Sequence, residues 1–150
     1  MPQRLRHIRH WVFDLDNTLY HPSIRLFDQI EVKMRDYIAS NLQLTPQAAD
    51  TLRDAYWRRY GTTLAGLMQE HDIDPDPFLE QVHDIDLSNL PKSNALAKAI
   101  EALPGRKIIY TNGTAPYARQ VVNALGLVGQ FDAFYGVEHA AYHPKPALQA

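Results

Sequence analysis

The chain has no cysteine among its 150 residues, which excludes disulfides and thiolate nucleophiles, and fits a reducing compartment. It has no apolar run approaching the length of a transmembrane helix. Its formal net charge is only -2, too small to argue for nucleic acid or a membrane surface as partner. The basic start, Arg4, Arg6, His7, Arg9 and His10, reads as a solvated terminus and receives no role. It also lacks the apolar middle of a secretion signal, because Asp14 and Asp16 follow almost at once, so the expected address is the cytoplasm. Repeats and low-complexity tracts are missing too.

What is present starts with Asp14-Leu15-Asp16-Asn17-Thr18 at the end of the apolar run Trp11-Val12-Phe13. Apolar residues on both faces predict a buried parallel strand. Residues i and i+2 of a strand project the same way, so Asp14 and Asp16 aim at one spot. Close carboxylates resist joint ionisation, which suits a nucleophile beside an acid/base. A polar turn is the plain alternative. A calcium loop is not, since Leu19 stands where the sharp-turn glycine belongs and Arg25 where the bidentate glutamate belongs.

Beyond this turn the rhythm becomes helical. Ile24, Phe27, Ile30, Met34, Tyr37 and Ile38 recur at steps of three and four, with Ser23 as N-cap. Thr45-Pro46 opens a second helix that Gly61 stops, a third covers about 64–70, and a fourth runs from Phe78 to Val82 after the breaker Asp74-Pro75-Asp76-Pro77. The second half alternates: helix 95–103, the Pro104-Gly105 turn, strand 107–110, helix 116–125 ending at Gly126, and strand 131–137. A chain of this length is one domain by default, able to bury about 68–70% of its unfolded surface. The reading is an α/β fold with a Rossmann-like parallel sheet. Its core covers residues 1–22 and 91–150, with a helical cap, 23–90, inserted after the first strand. Sites in such sheets lie at the carboxyl ends of the strands.

Two more segments fall at such ends. Thr111-Asn112-Gly113-Thr114 offers a hydroxyl and approachable N–H groups before a helix, suited to an anion; an ordinary turn capped by Thr114 remains the alternative. Lys145, between Pro144 and Pro146, has a stiffened backbone, as a point charge held over phosphate requires, although a loop lysine is commonly just solvated. Tyr37, Tyr56 and Trp57 read as packing, and Arg58 and Arg59 as a solvated helix face. His139 and His143 have zinc spacing, but Pro144 and the lack of an internal glutamate weigh against it.

The aspartate pair with Thr18, then Thr111, then Lys145, in order and at successive strand ends, resembles the haloacid dehalogenase superfamily over the whole chain. Phe13 to Tyr20, Tyr60-Gly61-Thr62-Thr63 and Tyr110 to Gly113 look like its pyrimidine 5'-nucleotidase group. The resemblance implies a magnesium-dependent phosphatase acting on a small phosphorylated metabolite, such as a nucleoside 5'-monophosphate. Asp14 would form an aspartyl-phosphate and Asp16 would act as acid and then base, with Thr18 as part of the catalytic set. Thr111, Lys145, Asn112 and Gly113 would hold the phosphoryl group. Mg²⁺ would bind the Asp14 carboxylate and the Asp16 carbonyl. Tyr20, Tyr60 and Thr63 would contact the leaving group.

The family pattern also implies further strands after Lys145 that carry acidic metal ligands, so the pattern reads as truncated there and the 150 residues alone are expected to be weak or inactive. The alternatives are a phosphomutase, or an inactive anion-binding or association module, for which a homo-oligomer is compatible.

Overall fold

The computed structural model describes residues 5–148; Arg4, part of the basic start, lies outside them. The element order is β1 (His10–Phe13), α1 (Leu26–Leu42), α2 (Pro46–Tyr60), α3 (Thr63–His71), α4 (Pro75–Val82), α5 (Asn94–Glu101), β2 (Arg106–Tyr110), α6 (Ala115–Ala124) and β3 (Ala133–Tyr135). This is an α/β fold with a parallel sheet and an all-helical segment between the first strand and α5. The chain divides into two compact units. One holds the residues up to Ile24 together with Leu87–Glu138; the other holds Arg25–Asp86 and the residues from His139 on. No helix among the described residues is long and apolar enough to cross a membrane.

In the first unit the sheet order is β1-β2-β3, with Val12 opposite Ile108 and Ile109 opposite Phe134. Parallel neighbours require crossovers, and α6 supplies the one from β2 to β3. Its buried side chains, Tyr117, Ala118, Val121 and Val122, recur at helical spacing, and Leu125 and Leu127 continue the apolar surface past its end. The turn into β2 needs Gly105: its φ is +84°, and a Cβ there would collide with the Arg9 carbonyl. The Trp11 indole donates to the Pro104 carbonyl at 2.8 Å, tying β1 to the same turn.

Two expectations for these strands are corrected. Val12 is 65% exposed, so β1 is not covered on both faces; at the sheet's end it alternates between exposed and half-buried residues. The third strand is shorter than 131–137. Phe131 packs edge-on against Phe13 and Phe134, while Asp132 exchanges bonds with the Lys107 backbone, through its own N–H at 2.8 Å and its carboxylate at 2.7 Å.

In the second unit α1 packs against α2 and α4, and α2 against α3, around Leu26, Ile30, Ile38, Leu67, Phe78 and Val82. Thr45, Thr62 and Asp74 cap α2, α3 and α4 with their side chains, accepting from Ala48, Ala65 and Asp76 N–H groups. Gly61, at φ +85°, closes α2 as expected. Asp74-Pro75-Asp76-Pro77 opens α4 instead of breaking the chain, because prolines in a first turn lack only N–H groups that would have no helical partner there. Ser23 does not cap α1. It lies in a 3₁₀ turn, Pro22–Ile24, with its hydroxyl joined to His21 Nδ1 at 2.8 Å, and Arg25 in the left-handed region starts the helix.

Candidate active site

The chain leaves β1 through a tight turn anchored by Leu15, which is fully buried and whose carbonyl accepts from the N–H groups of Thr18 and Leu19. Asn17 takes the left-handed conformation, φ 58°, an excursion that asparagine tolerates better than most residues. With Leu15 pointing inward, the flanking aspartates stand outside it: Asp14 is exposed and Asp16 half-buried.

Each carboxylate has its own donors. The Thr18 hydroxyl donates to Asp14 Oδ2 at 2.9 Å. Asp16 Oδ1 accepts from the Tyr20 hydroxyl at 2.7 Å and from the Tyr117 hydroxyl at 2.8 Å. Burial, reinforced by the Asp16 charge, raises both phenols above the ordinary tyrosine range, so they stay protonated donors.

Thr111 follows β2 and is 2% exposed; its N–H donates to the Tyr135 carbonyl. Its hydroxyl oxygen accepts from Gly113 N–H at 3.0 Å, which leaves the hydroxyl proton to be donated elsewhere. Thr114 caps α6, accepting from Tyr117 N–H. The turn is braced from beyond β3. Glu138 accepts from Ala115 N–H at 2.8 Å, and Val137 N–H donates to the Gly113 carbonyl at 2.9 Å. Gly136 makes this approach possible, because a Cβ there would stand 2.5 Å from Ala115 N and 2.7 Å from the Gly113 oxygen. Gly113 in turn makes room for the Tyr117 ring, whose Cδ1 would lie 3.0 Å from an added Cβ.

The first unit thus brings together Asp14, Asp16, Thr18 and Tyr20 on one turn, and Thr111, Asn112 and Gly113 on another, with Tyr117 joining α6 to Asp16. Tyr60, Thr63 and Lys145 belong to the second unit. There the Tyr60 hydroxyl is joined to Glu70, and buried Thr63 donates to the Arg53 carbonyl at 3.0 Å. Lys145 is half-buried in a turn closed by Ala147 N–H on the Pro144 carbonyl, and nearby Tyr142 is hydrogen-bonded to Asp76 of α4. Sequence reasoning missed Tyr117 and Glu138. An aromatic in the first helical turn after a glycine-containing loop was the available signal for Tyr117.

The donor set on this turn consists of hard oxygen atoms. Asp14 offers an exposed carboxylate and Asp16 a backbone carbonyl, both hard oxygens. Mg²⁺ commonly takes one or two carboxylates with waters and a substrate phosphate, so the residues fit that ion. Among the described residues no group of three or more His, Cys, Asp or Glu side chains forms a fuller cage.

Fold and strand-end carboxylates together define an α/β domain with a pair of aspartates at the carboxyl end of its first strand. The chain belongs to the haloacid dehalogenase-like hydrolases, whose family pattern it matches over residues 8–150. It is 24% identical over 142 residues to Phosphate metabolism protein 8 of Saccharomyces cerevisiae, a match covering 87% of this chain and 43% of that protein. The chain therefore spans less than half the length of that curated relative. Among solved structures it is similar to L-2-haloacid dehalogenase from Xanthobacter autotrophicus with chloropropionic acid covalently bound, at 19% identity and a TM-score of 0.44, covering 95% of this chain and 61% of that one.

Proposed function

We propose that this chain is the catalytic part of a phosphatase that hydrolyses a small phosphate monoester, with a nucleoside 5'-monophosphate as the leading candidate, through an aspartyl-phosphate. The observation that carries the reading is the pair of aspartates on one turn with different donors: an exposed Asp14 held by Thr18, and a half-buried Asp16 held by two phenols. Two carboxylates in unlike environments are what a nucleophile and an acid/base require. Similarity to a protein named for phosphate metabolism supports the same class.

In this reading an Asp14 oxygen attacks phosphorus, and the ester P–O bond breaks with its electron pair leaving on the alkoxide. Asp16 gives that alkoxide a proton. Water then attacks phosphorus, Asp16 takes its proton, and the Asp14–phosphorus bond breaks to release inorganic phosphate. The Thr111 hydroxyl and the Gly113 turn supply donors to the phosphoryl oxygens. Mg²⁺, held by the Asp14 carboxylate and the Asp16 carbonyl, would neutralise charge between nucleophile and phosphate.

The experiment is phosphate release across a panel of nucleotides and sugar phosphates with Mg²⁺, run beside Asp14→Asn. Slow turnover, in keeping with the weak activity expected of these 150 residues, and an acid-stable, hydroxylamine-sensitive phosphoenzyme are expected from the native chain and neither from the variant. A panel without any release, and no trapped phosphoenzyme, would defeat the proposal. Strong dependence on an added sugar bisphosphate would redirect it to a phosphomutase.

A further inference from the structure

Tyr20 and Tyr117 come from different elements and meet at one atom. Tyr20 lies at the end of the aspartate turn, four residues after Asp16; Tyr117 lies in the first turn of α6. The two residues are 5% and 2% exposed, so their hydroxyls have little room to swing. Both donate to Asp16 Oδ1, at 2.7 and 2.8 Å. A carboxylate oxygen accepts along about two lone-pair directions, so two phenols saturate Oδ1. A proton could sit on Oδ1 only by displacing one of them.

We propose that Tyr20 and Tyr117 are positioning residues for the general acid: by holding Asp16 Oδ1 from two elements they fix the side-chain rotamer and turn Oδ2 toward the leaving group. This deepens the phosphatase reading and rests on it. Neither tyrosine needs to touch the substrate. Tyr20, expected from the sequence to contact the leaving group, acts here through Asp16. Gly113 serves the same end, since a side chain there would press on the Tyr117 ring.

The clamp matters only where the leaving group needs a proton. Alkyl phosphates expel a basic alkoxide and depend on the acid, whereas p-nitrophenyl phosphate expels a stable phenolate and hardly does. Tyr20→Phe, Tyr117→Phe and the double variant keep the rings and remove the donors. In the native chain and each variant, kcat/KM is measured for β-glycerophosphate and for p-nitrophenyl phosphate. The expected result is a loss of about tenfold or more on the alkyl substrate and less than about threefold on the aryl one. Equal losses on both would indicate a purely structural role and overturn the proposal, as would no loss on either.

A second measurement needs no turnover. Three-bond NMR couplings to Asp16 Cγ report its χ1; one staggered rotamer is expected in the native chain and averaging in the double variant. A single unchanged rotamer in the double variant would sink the clamp while leaving the phosphatase reading intact. If the native chain hydrolyses neither ester, the phosphatase reading fails, and the couplings still decide whether the tyrosines hold Asp16. Should one single variant not fold, the other removes a donor from the same oxygen and gives the same comparison.

Discussion

Tyr117 stands 101 positions after Asp16 in the chain, and its hydroxyl donates to the Asp16 carboxylate at 2.8 Å. The bond ties the first turn of α6 to the turn after β1, so the two strand ends that carry the candidate chemistry are held as one piece. Thr18 does the local half of this work on Asp14. Asp14 is therefore oriented from within its own turn, and Asp16 both from that turn, through Tyr20, and from across the unit, through Tyr117.

Thr18→Val keeps the shape of the side chain and removes its donor to Asp14 Oδ2. A hydrogen bond to a charged group is worth about 1.5–3 kcal/mol, so phosphoenzyme formation should slow by about 10- to 100-fold if the bond orients the nucleophile. Rapid-quench measurement of the phosphoenzyme burst checks this. A burst at the native rate would show that Asp14 is oriented without Thr18.

Gly136→Ala should be markedly destabilising, because the new Cβ would meet the Glu138 carboxylate, the Ala115 N–H and the Gly113 carbonyl. Overpacking of this kind costs about 1–3 kcal/mol. Gly129→Ala is the comparison: its φ is +78°, with nothing within 4 Å of the added atom, so only backbone strain of about 1 kcal/mol applies. Urea denaturation should rank Gly136→Ala below Gly129→Ala. The reverse order would mean that the Glu138 brace yields easily.

Much of this was legible in the sequence, for reasons that also explain what was not. Helices α2 and α6 announce themselves through local signals, Thr45-Pro46 with Gly61 and Thr114 with Gly126, since caps are made by residues within a turn of the helix end. Asp14 and Asp16 could be placed together because strand geometry alone aims i and i+2 the same way. The Ser23 assignment failed because His21 competes for its hydroxyl, a contact two residues away that helical periodicity does not encode. Val12 was misjudged because apolarity does not say whether a strand lies at a sheet's end. The contacts that complete the site, Tyr117 on Asp16 and Glu138 on Ala115, join residues 101 and 23 positions apart and depend on how α6 and β3 pack.

His83, at the end of α4, provides a test by pH. Burial lowers its pKa from 6.5 to about 4. Between those values the unfolded chain binds a proton at His83 that the folded chain does not, so stability rises with pH across the window. The contribution is fully present above about pH 6.5 and is lost as pH falls toward 4, by up to about 3 kcal/mol at 1.36 kcal/mol per unit. The difference in unfolding free energy between the native chain and His83→Gln should therefore decline only within this window and be flat on either side. A difference that stays constant from pH 7 to pH 4 would show that His83 titrates as it does in water.

The caps give the last test, and it bears on how the helical unit begins. Thr45 accepts from Ala48 N–H at 3.2 Å, with Pro46 at the first helical position; Ser23 makes no such bond to α1, whose first turn follows the left-handed Arg25. Losing a side-chain N-cap typically costs about 1 kcal/mol, since an N–H at the helix start is left to water. Thr45→Ala should thus lower the unfolding free energy by about that amount. Ser23→Ala should cost less, because its hydroxyl bonds exposed His21 outside the helix. Equal losses in urea would mean that the Pro22–Ile24 turn supports α1 as strongly as a cap does, and that the start of this helix is set by the segment before Arg25.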